Sequence, residues 1–320
     1  MAEWLVEEGI GEHRALRMDG GQAVAAMIDW PGKLAPGRID DAVLIDRATG
    51  SARGTVRFAG GEEALVDRLP REASEGASLR VEVIRTQIAE HGRTKRARAR
   101  LTDAAMRPAP GLRENLGARL VRRFPTDDWA EIWTEAWSGI REFASGALQF
   151  STTPAMTLVD VDGDLPPRQL ALAAAQALGD ALPRYDLRGS IGIDFPTLPA
   201  KADRRAVDDA LSSALVEWPH ERTAMNGFGF VQIVSRLERP SILHRMGEDR
   251  AGAAARMLLR RGEAQMAQPG DLLLTCHPAV RAQLRPEWLE ELQRRTGRAL
   301  CVETDPKLAL EAGFAQAVPR

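Results

Sequence analysis

Through the first hundred positions, apolar and polar residues alternate with a period of two, the spacing of half-buried strands. Residues 1–33 predict short strands turned at Gly20-Gly21 and closed off by Pro31-Gly32. From 34 to 104 the runs shorten and break at Thr49-Gly50 and Gly60-Gly61, and SLRVEVIRTQI then alternates strictly enough for a half-exposed strand. About five short strands in so small a stretch predict a barrel, and the OB type is the commonest small barrel that binds oligonucleotides.

Beyond residue 104 the pattern changes. Residues 105–145 read as a helical linker, in which DDWAEIWTEAWSGIREF (127–143) is a helix with acids in its first turn and Gly139 near its end. Its Trp129, Trp133 and Trp137 share one face, which predicts packing in a core or at an interface, with a base-stacking platform as the alternative. Residues 146–262 alternate between strand-like runs (ALQFSTTPAMTLVDVDG, RGSIGIDF, FGFVQIVSRL) and helical ones (PPRQLALAAAQALGDAL, ADRRAVDDALSSALVEW), which predicts an α/β unit with a mixed sheet. Residues 263–320 repeat the scheme as a C-terminal α/β extension. The expected fold class is thus α/β, or α+β multidomain: a β segment, an OB-type barrel inserted ahead of an α/β unit, and an extension.

Composition adds exclusions. The 320-residue chain is 44% hydrophobic and 28% charged, which is ordinary for a globular protein, and no apolar run approaches a membrane span. Acids stand near the N-terminus where a signal peptide would carry lysines, so a cytoplasmic protein without a membrane partner is expected. Cys276 and Cys301 lack paired spacing and predict small buried side chains, with no zinc. The five histidines, at 13, 91, 220, 244 and 277, show no ligand spacing either. Net charge is −2, so nucleic-acid affinity has to come from local asymmetry. Ten basic residues against two acidic ones between 93 and 123, among them Arg93, Lys95, Arg96 and Arg98, offer a phosphate-tracking strip beside the barrel, or else a solvated charged face.

The candidate chemistry lies in two apolar strands that end in aspartate. In TLVDVD, Leu158, Asp160 and Asp162 share one face; GSIGIDF ends at Asp194. A helical crossover between them would make the strands parallel neighbours and bring the carboxylates together at their carboxyl ends. Converging carboxylates stay ionised by binding a hard divalent cation, Mg²⁺ or alternatively Mn²⁺. Strand-end aspartates also cap helices and start turns, which is the plainer explanation.

At these residues the chain resembles the ribonuclease E/G family. TPAMTLVDVDG is similar to the strand ending in that family's first metal-binding aspartate, here Asp160. YDLRGSIGIDF is similar to the turn and strand ending in the second, here Asp194, and ADRRAVDDALSSAL and FGFVQIVSRLERPSIL resemble the helix and strand that follow. The 34–104 stretch, with HGRTKRARARL at its end, is similar to the family's OB-type RNA-binding insertion. The resemblance implies an endonuclease, a hydrolase that cuts single-stranded RNA with Mg²⁺ held by Asp160 and Asp194, acting in RNA processing or decay. In that reading Asp162 assists as a further metal ligand or only adds charge that tightens the site, Arg93, Lys95, Arg96 and Arg98 guide the RNA backbone, and Phe58 is the barrel's candidate for base stacking, with a place in the barrel core as the alternative.

Departures from the family pattern are specific. Asp162 stands where an asparagine is usual, Thr197 where an acid is frequent, and Asn226-Gly227 where a serine–arginine pair is expected. The linker is too short for the domain that senses a 5′-monophosphate, and the cysteine pair that shares zinc between subunits is missing, which leaves the oligomeric state open. Two rival readings are a catalytically inactive RNA-binding protein of the same fold and a protein-interaction subunit of an RNA-processing assembly.

Overall fold

The architecture is that of a computed structural model describing residues 2–90, 92–144, 146–265 and 269–319. His91 lies outside the described residues.

Strands β1 (Glu3–Gly9), β2 (Glu12–Asp19) and β3 (Gln22–Asp29) form an antiparallel meander, as the period-two pattern predicts. Next come β4 (Ile39–Arg47), β5 (Gly54–Phe58), β6 (Glu63–Val66), β7 (Ser78–Arg85), a small hairpin of β8 (Ile88–Glu90) and β9 (Arg93–Lys95), and β10 (Ala97–Leu101). Five of them close into a barrel in the order β10-β6-β5-β4-β7, with β7 returning to β10. Only the β6–β10 pairing in it is parallel. Alternate side chains fill its interior, including Leu44, Val56, Phe58, Val66, Val81 and Val83, and make a hydrophobic cluster separate from the rest.

Helix α1 (Leu112–Leu116) and β11 (Arg119–Leu120) follow, the latter pairing in parallel with β1. Helix α2 (Asp128–Ser138) is shorter than the sequence pattern predicts. Gly139 ends it in the left-handed conformation, φ 71°, and a Cβ there would come within 2.9 Å of the Phe150 carbonyl oxygen. Residues 140–143 therefore become β12 (Ile140–Phe143), the edge of a second sheet. Trp129, Trp133 and Trp137 are buried, so the tryptophan stripe is core.

That sheet continues with β13 (Gly146–Thr152) and β14 (Thr157–Asp162); α3 (Pro167–Arg184) crosses over to β15 (Ser190–Asp194), and α4 (Lys201–Ala214), β16 (Glu221–Arg222) and β17 (Phe230–Val234) follow. Among the described residues its order is β12-β13-β14-β15-β17-β16, with β14 and β15 parallel and the other neighbours antiparallel, a mixed sheet. Helix α5 (Ile242–Glu248) and α6 (Arg250–Ala264) lead to β18 (Asp271–Cys276), α7 (Pro278–Arg281), α8 (Pro286–Thr296), β19 (Leu300–Thr304) and β20 (Phe314–Val318). The last three strands make a sheet ordered β19-β18-β20, against which α6 packs. One continuous hydrophobic cluster joins the N-terminal meander, the second sheet and this C-terminal part. Among the described residues no helix is long and apolar enough to cross a membrane.

Candidate active site

Strand β14 alternates as its sequence demands. Thr157, Val159 and Val161 are buried on the side where α3 packs, and Leu158, Asp160 and Asp162 are exposed on the other. On β15, Ile191 and Ile193 are buried and Asp194 ends the strand exposed. The turn that launches β15 is held by Asp186, which is buried and in positive φ, 47°, with Arg188 donating to its carboxylate at 3.0 Å. Burial pushes the Asp186 carboxyl up, against the opposing charges of Arg239 and Arg188.

The register sets Asp160 directly beside Asp194 across the parallel β14–β15 pair. Gln149 of β13 flanks Asp160 and Phe230 of β17 flanks Asp194, so one row of the open face reads Gln149, Asp160, Asp194, Phe230. Gly192 is buried one pleat before Asp194 on the same side of the sheet, and a Cβ there would lie 2.5 Å from Phe230 Cζ and 2.7 Å from Met156 Sδ. Those two side chains therefore lie over the sheet where it carries no side chain of its own.

Neighbouring strands place the two aspartate backbones about 5 Å apart. Like charges at that distance repel by about 1 kcal/mol even in water. Neither carboxylate, nor that of Asp162, makes a hydrogen bond or ion pair with any described residue. Two free hard oxygen donors side by side suit Mg²⁺, which takes one or two carboxylates and completes its shell with water and phosphate oxygens. Asp162 stands about 7 Å further along β14. Among the described residues no group of three or more His, Cys, Asp or Glu is gathered as a metal cage, so the geometry does not bring Asp162 in as a third ligand.

The basic strip fares differently from its local count. Arg98 pairs with Asp67, Arg100 and Arg107 with Glu82 (2.6 and 3.7 Å), and Arg119 with Glu3 at 2.9 Å. Three acids distant in sequence thus pair with four of its ten basic residues. Arg93 donates to the Pro154 carbonyl, which ties the β8–β9 hairpin to the turn before β14, roughly 20 Å of extended chain before Asp160. Lys95 is half-buried in the same hairpin, and Arg96 is exposed, its carbonyl accepting from Arg85 at 2.8 Å.

Phe58 corrects an expectation. It is 2% exposed in the barrel interior with the Arg38 guanidinium 5.2 Å from its ring centre, so it offers no surface to a base. It points inward because its strand alternates from Val56, which the barrel also encloses. Cys276 is buried as expected, but Cys301 is exposed, because β19 is an edge strand with an uncovered face. Among the described histidines, His220 bonds the Trp218 carbonyl, His244 bonds Ser241, and His277 accepts from Ala279 at the start of α7, all structural uses.

No protein-family model matches this chain, and no curated protein matches it. Any functional assignment therefore rests on the site itself.

The sequence reading missed Phe228. It lies on the 226–229 loop beside Asp194 and is 83% exposed, and the only cue to it is an aromatic set between glycines in GFG (227–229). Asn226 and Thr197 hold that loop. Asn226 Oδ1 accepts from the Phe228 and Phe230 amides at 2.9 and 3.1 Å, and Thr197 Oγ1 donates to the Phe228 carbonyl at 3.3 Å.

A cavity of about 910 Å³ lies elsewhere, lined by residues of β1, α2, α6 and α8. Its arginines are largely committed: Arg260 to Glu7, Arg261 to the Glu311 and Gly313 carbonyls, and Arg295 to Glu291 and Glu263. None of the three aspartates lines it.

Proposed function

We propose that this protein is a metal-dependent endoribonuclease, similar to the ribonuclease E/G family, that hydrolyses single-stranded RNA in the cytoplasm. The observation that carries this reading is the in-register pair Asp160 and Asp194, two unpartnered carboxylates on adjacent parallel strands at the open face of a mixed sheet. In this reading they hold Mg²⁺, and Asp162 adds negative charge one pleat away. Bound there, the ion supplies polarisation of the phosphodiester, activation of water and stabilisation of the leaving oxygen. The closed barrel joins its strands in the order first, second, third, fifth, fourth, which suits an OB-type fold, and we read it as a separate RNA-binding domain. Arg93 and Lys95 bring positive charge on their hairpin toward the aspartate sheet, where a strand of RNA would be guided by its backbone.

The test incubates purified protein with a fluorescent single-stranded RNA of about a dozen nucleotides in Mg²⁺ or EDTA, beside Asp160→Asn and Asp194→Asn. Cutting should require Mg²⁺ and fall at least about 10²- to 10³-fold in each variant, since a catalytic metal contributes several kcal/mol to the transition state. RNA binding should survive in both. RNA left intact by the wild-type protein while still being bound would overturn the enzyme in favour of a non-catalytic RNA-binding protein.

A further inference from the structure

We propose that Phe228 is a stacking surface for an unpaired nucleobase of the substrate, next to the phosphate that a Mg²⁺ at Asp160 and Asp194 would hold; the inference rests on the nuclease reading above. Among the described residues the exposed aromatic rings are Phe228, at 83%, and Phe314, at 41% on β20 in another sheet. The other aromatics that could have served, Phe58 and the α2 tryptophans, are buried.

A ring so exposed gains nothing from the fold, yet the backbone beneath it is tightly held. Besides the two bonds to Asn226 Oδ1 and the one from Thr197, the Gly229 amide donates to the Asn226 carbonyl at 3.2 Å, and the Phe195 amide donates to the Gly229 carbonyl at 3.2 Å. Gly229 takes φ 93°, and a Cβ on it would meet the Phe195 carbonyl oxygen at 2.3 Å, so this close approach to the residue after Asp194 needs glycine. A loop ordered in advance presents its ring at little entropic cost on binding.

Position supplies the ligand class. Phe230 faces Asp194 directly across the β15–β17 pair, which sets the Phe228 backbone within about 10 Å of Asp194. A phosphate at the aspartates leaves its attached bases within reach of that ring. Stacking on a planar hydrocarbon face accepts any base, as a nuclease for unpaired RNA requires, whereas a duplex has its bases already stacked and withheld.

The experiment uses the full chain, in Mg²⁺, with single-stranded RNA that is 2′-O-methylated to resist cutting and carries one 2-aminopurine, whose fluorescence falls when it stacks. Wild-type protein should quench the probe at one position of the oligonucleotide. Phe228→Ala should abolish the quench and weaken affinity about 10- to 100-fold, and Phe228→Trp should restore both where Phe228→Leu does not. With unmodified RNA in Mg²⁺, Phe228→Ala should raise KM more than it lowers kcat. An abasic site walked along the RNA should erase the difference between wild type and Phe228→Ala at that same position. Quenching and affinity unchanged in Phe228→Ala would overturn the proposal, as would an oligomer that dissociates on this substitution while RNA binding stays intact. Wild-type protein that quenches the probe through Phe228 but never cuts RNA would sustain the stacking role and overturn only the nuclease.

Discussion

Two groups of ionised side chains in this molecule meet opposite treatment. At the junction of the N-terminal meander with α6, Glu7 and Glu12 surround Arg14, which is 1% exposed, at 2.7 and 2.6 Å. Arg260 adds a second cation to Glu7 at 3.1 Å, the Phe124 amide donates to Glu7, and the Trp30 indole donates to Glu12. At the open face of the second sheet, Asp160 and Asp194 stand side by side with like charge and no partner. A buried charge survives only when it is paired and hydrogen-bonded, so the first cluster is a structural joint. An exposed, self-repelling pair contributes nothing to folding, and in the proposed function a bound cation is what it holds. The contrast separates carboxylates that hold the fold from carboxylates that do not.

Removing one partner from each group should break the comparison in opposite directions. Arg14→Ala leaves two buried acids facing each other and should cost about 3–5 kcal/mol in urea unfolding, as breaking a buried ion pair does. A loss below about 1 kcal/mol would show that water reaches the joint. Asp194→Asn removes repulsion instead, so its unfolding midpoint should equal or slightly exceed that of the wild type.

Mg²⁺ sharpens the contrast with a smaller effect. At ten times its dissociation constant an ion bound only by the folded state adds about 1.4 kcal/mol, so the wild-type melting temperature should rise by a few degrees. Asp194→Asn should show no rise, and an equal rise in both proteins would place the ion elsewhere.

Acid titration should give the smallest effect. Burial pulls Glu7 up, but the hydrogen bond from Arg260, the charges of Arg14 and Arg260 and the Phe124 amide outweigh it and hold its carboxyl below the ordinary 4.5. A carboxyl lowered by folding lends stability that is complete above 4.5 and is lost as pH falls through its depressed value. Urea midpoints measured from pH 6 downward should therefore fall, less steeply in Glu7→Gln, and parallel curves would remove Glu7 from the account of acid sensitivity.

Much was legible beforehand because it follows from local periodicity. A period of two gives strands and the parity of their faces, which is why Asp160 and Asp162 share a side with Leu158 and why the barrel and the β14–α3–β15 crossover could be anticipated. Periodicity does not say which face becomes covered. Phe58 lies inward because five strands close around it, and residues 140–143 leave the helix because Gly139 meets the Phe150 carbonyl.

The sequence by itself determined the order of strands and helices and the placement of aspartates at two strand ends, since both depend on neighbours a few residues away. Tertiary structure alone decided which charges are free. Arg98 meets Asp67 across 31 residues and Arg119 meets Glu3 across 116, so a strip that counts as strongly basic along the chain is partly neutralised in space, and elsewhere Arg260 meets Glu7 across 253. The same long-range packing left Asp160, Asp194 and Phe228 without such partners, because pairing depends on the register of strands and the covering of faces, neither of which is written within any one segment.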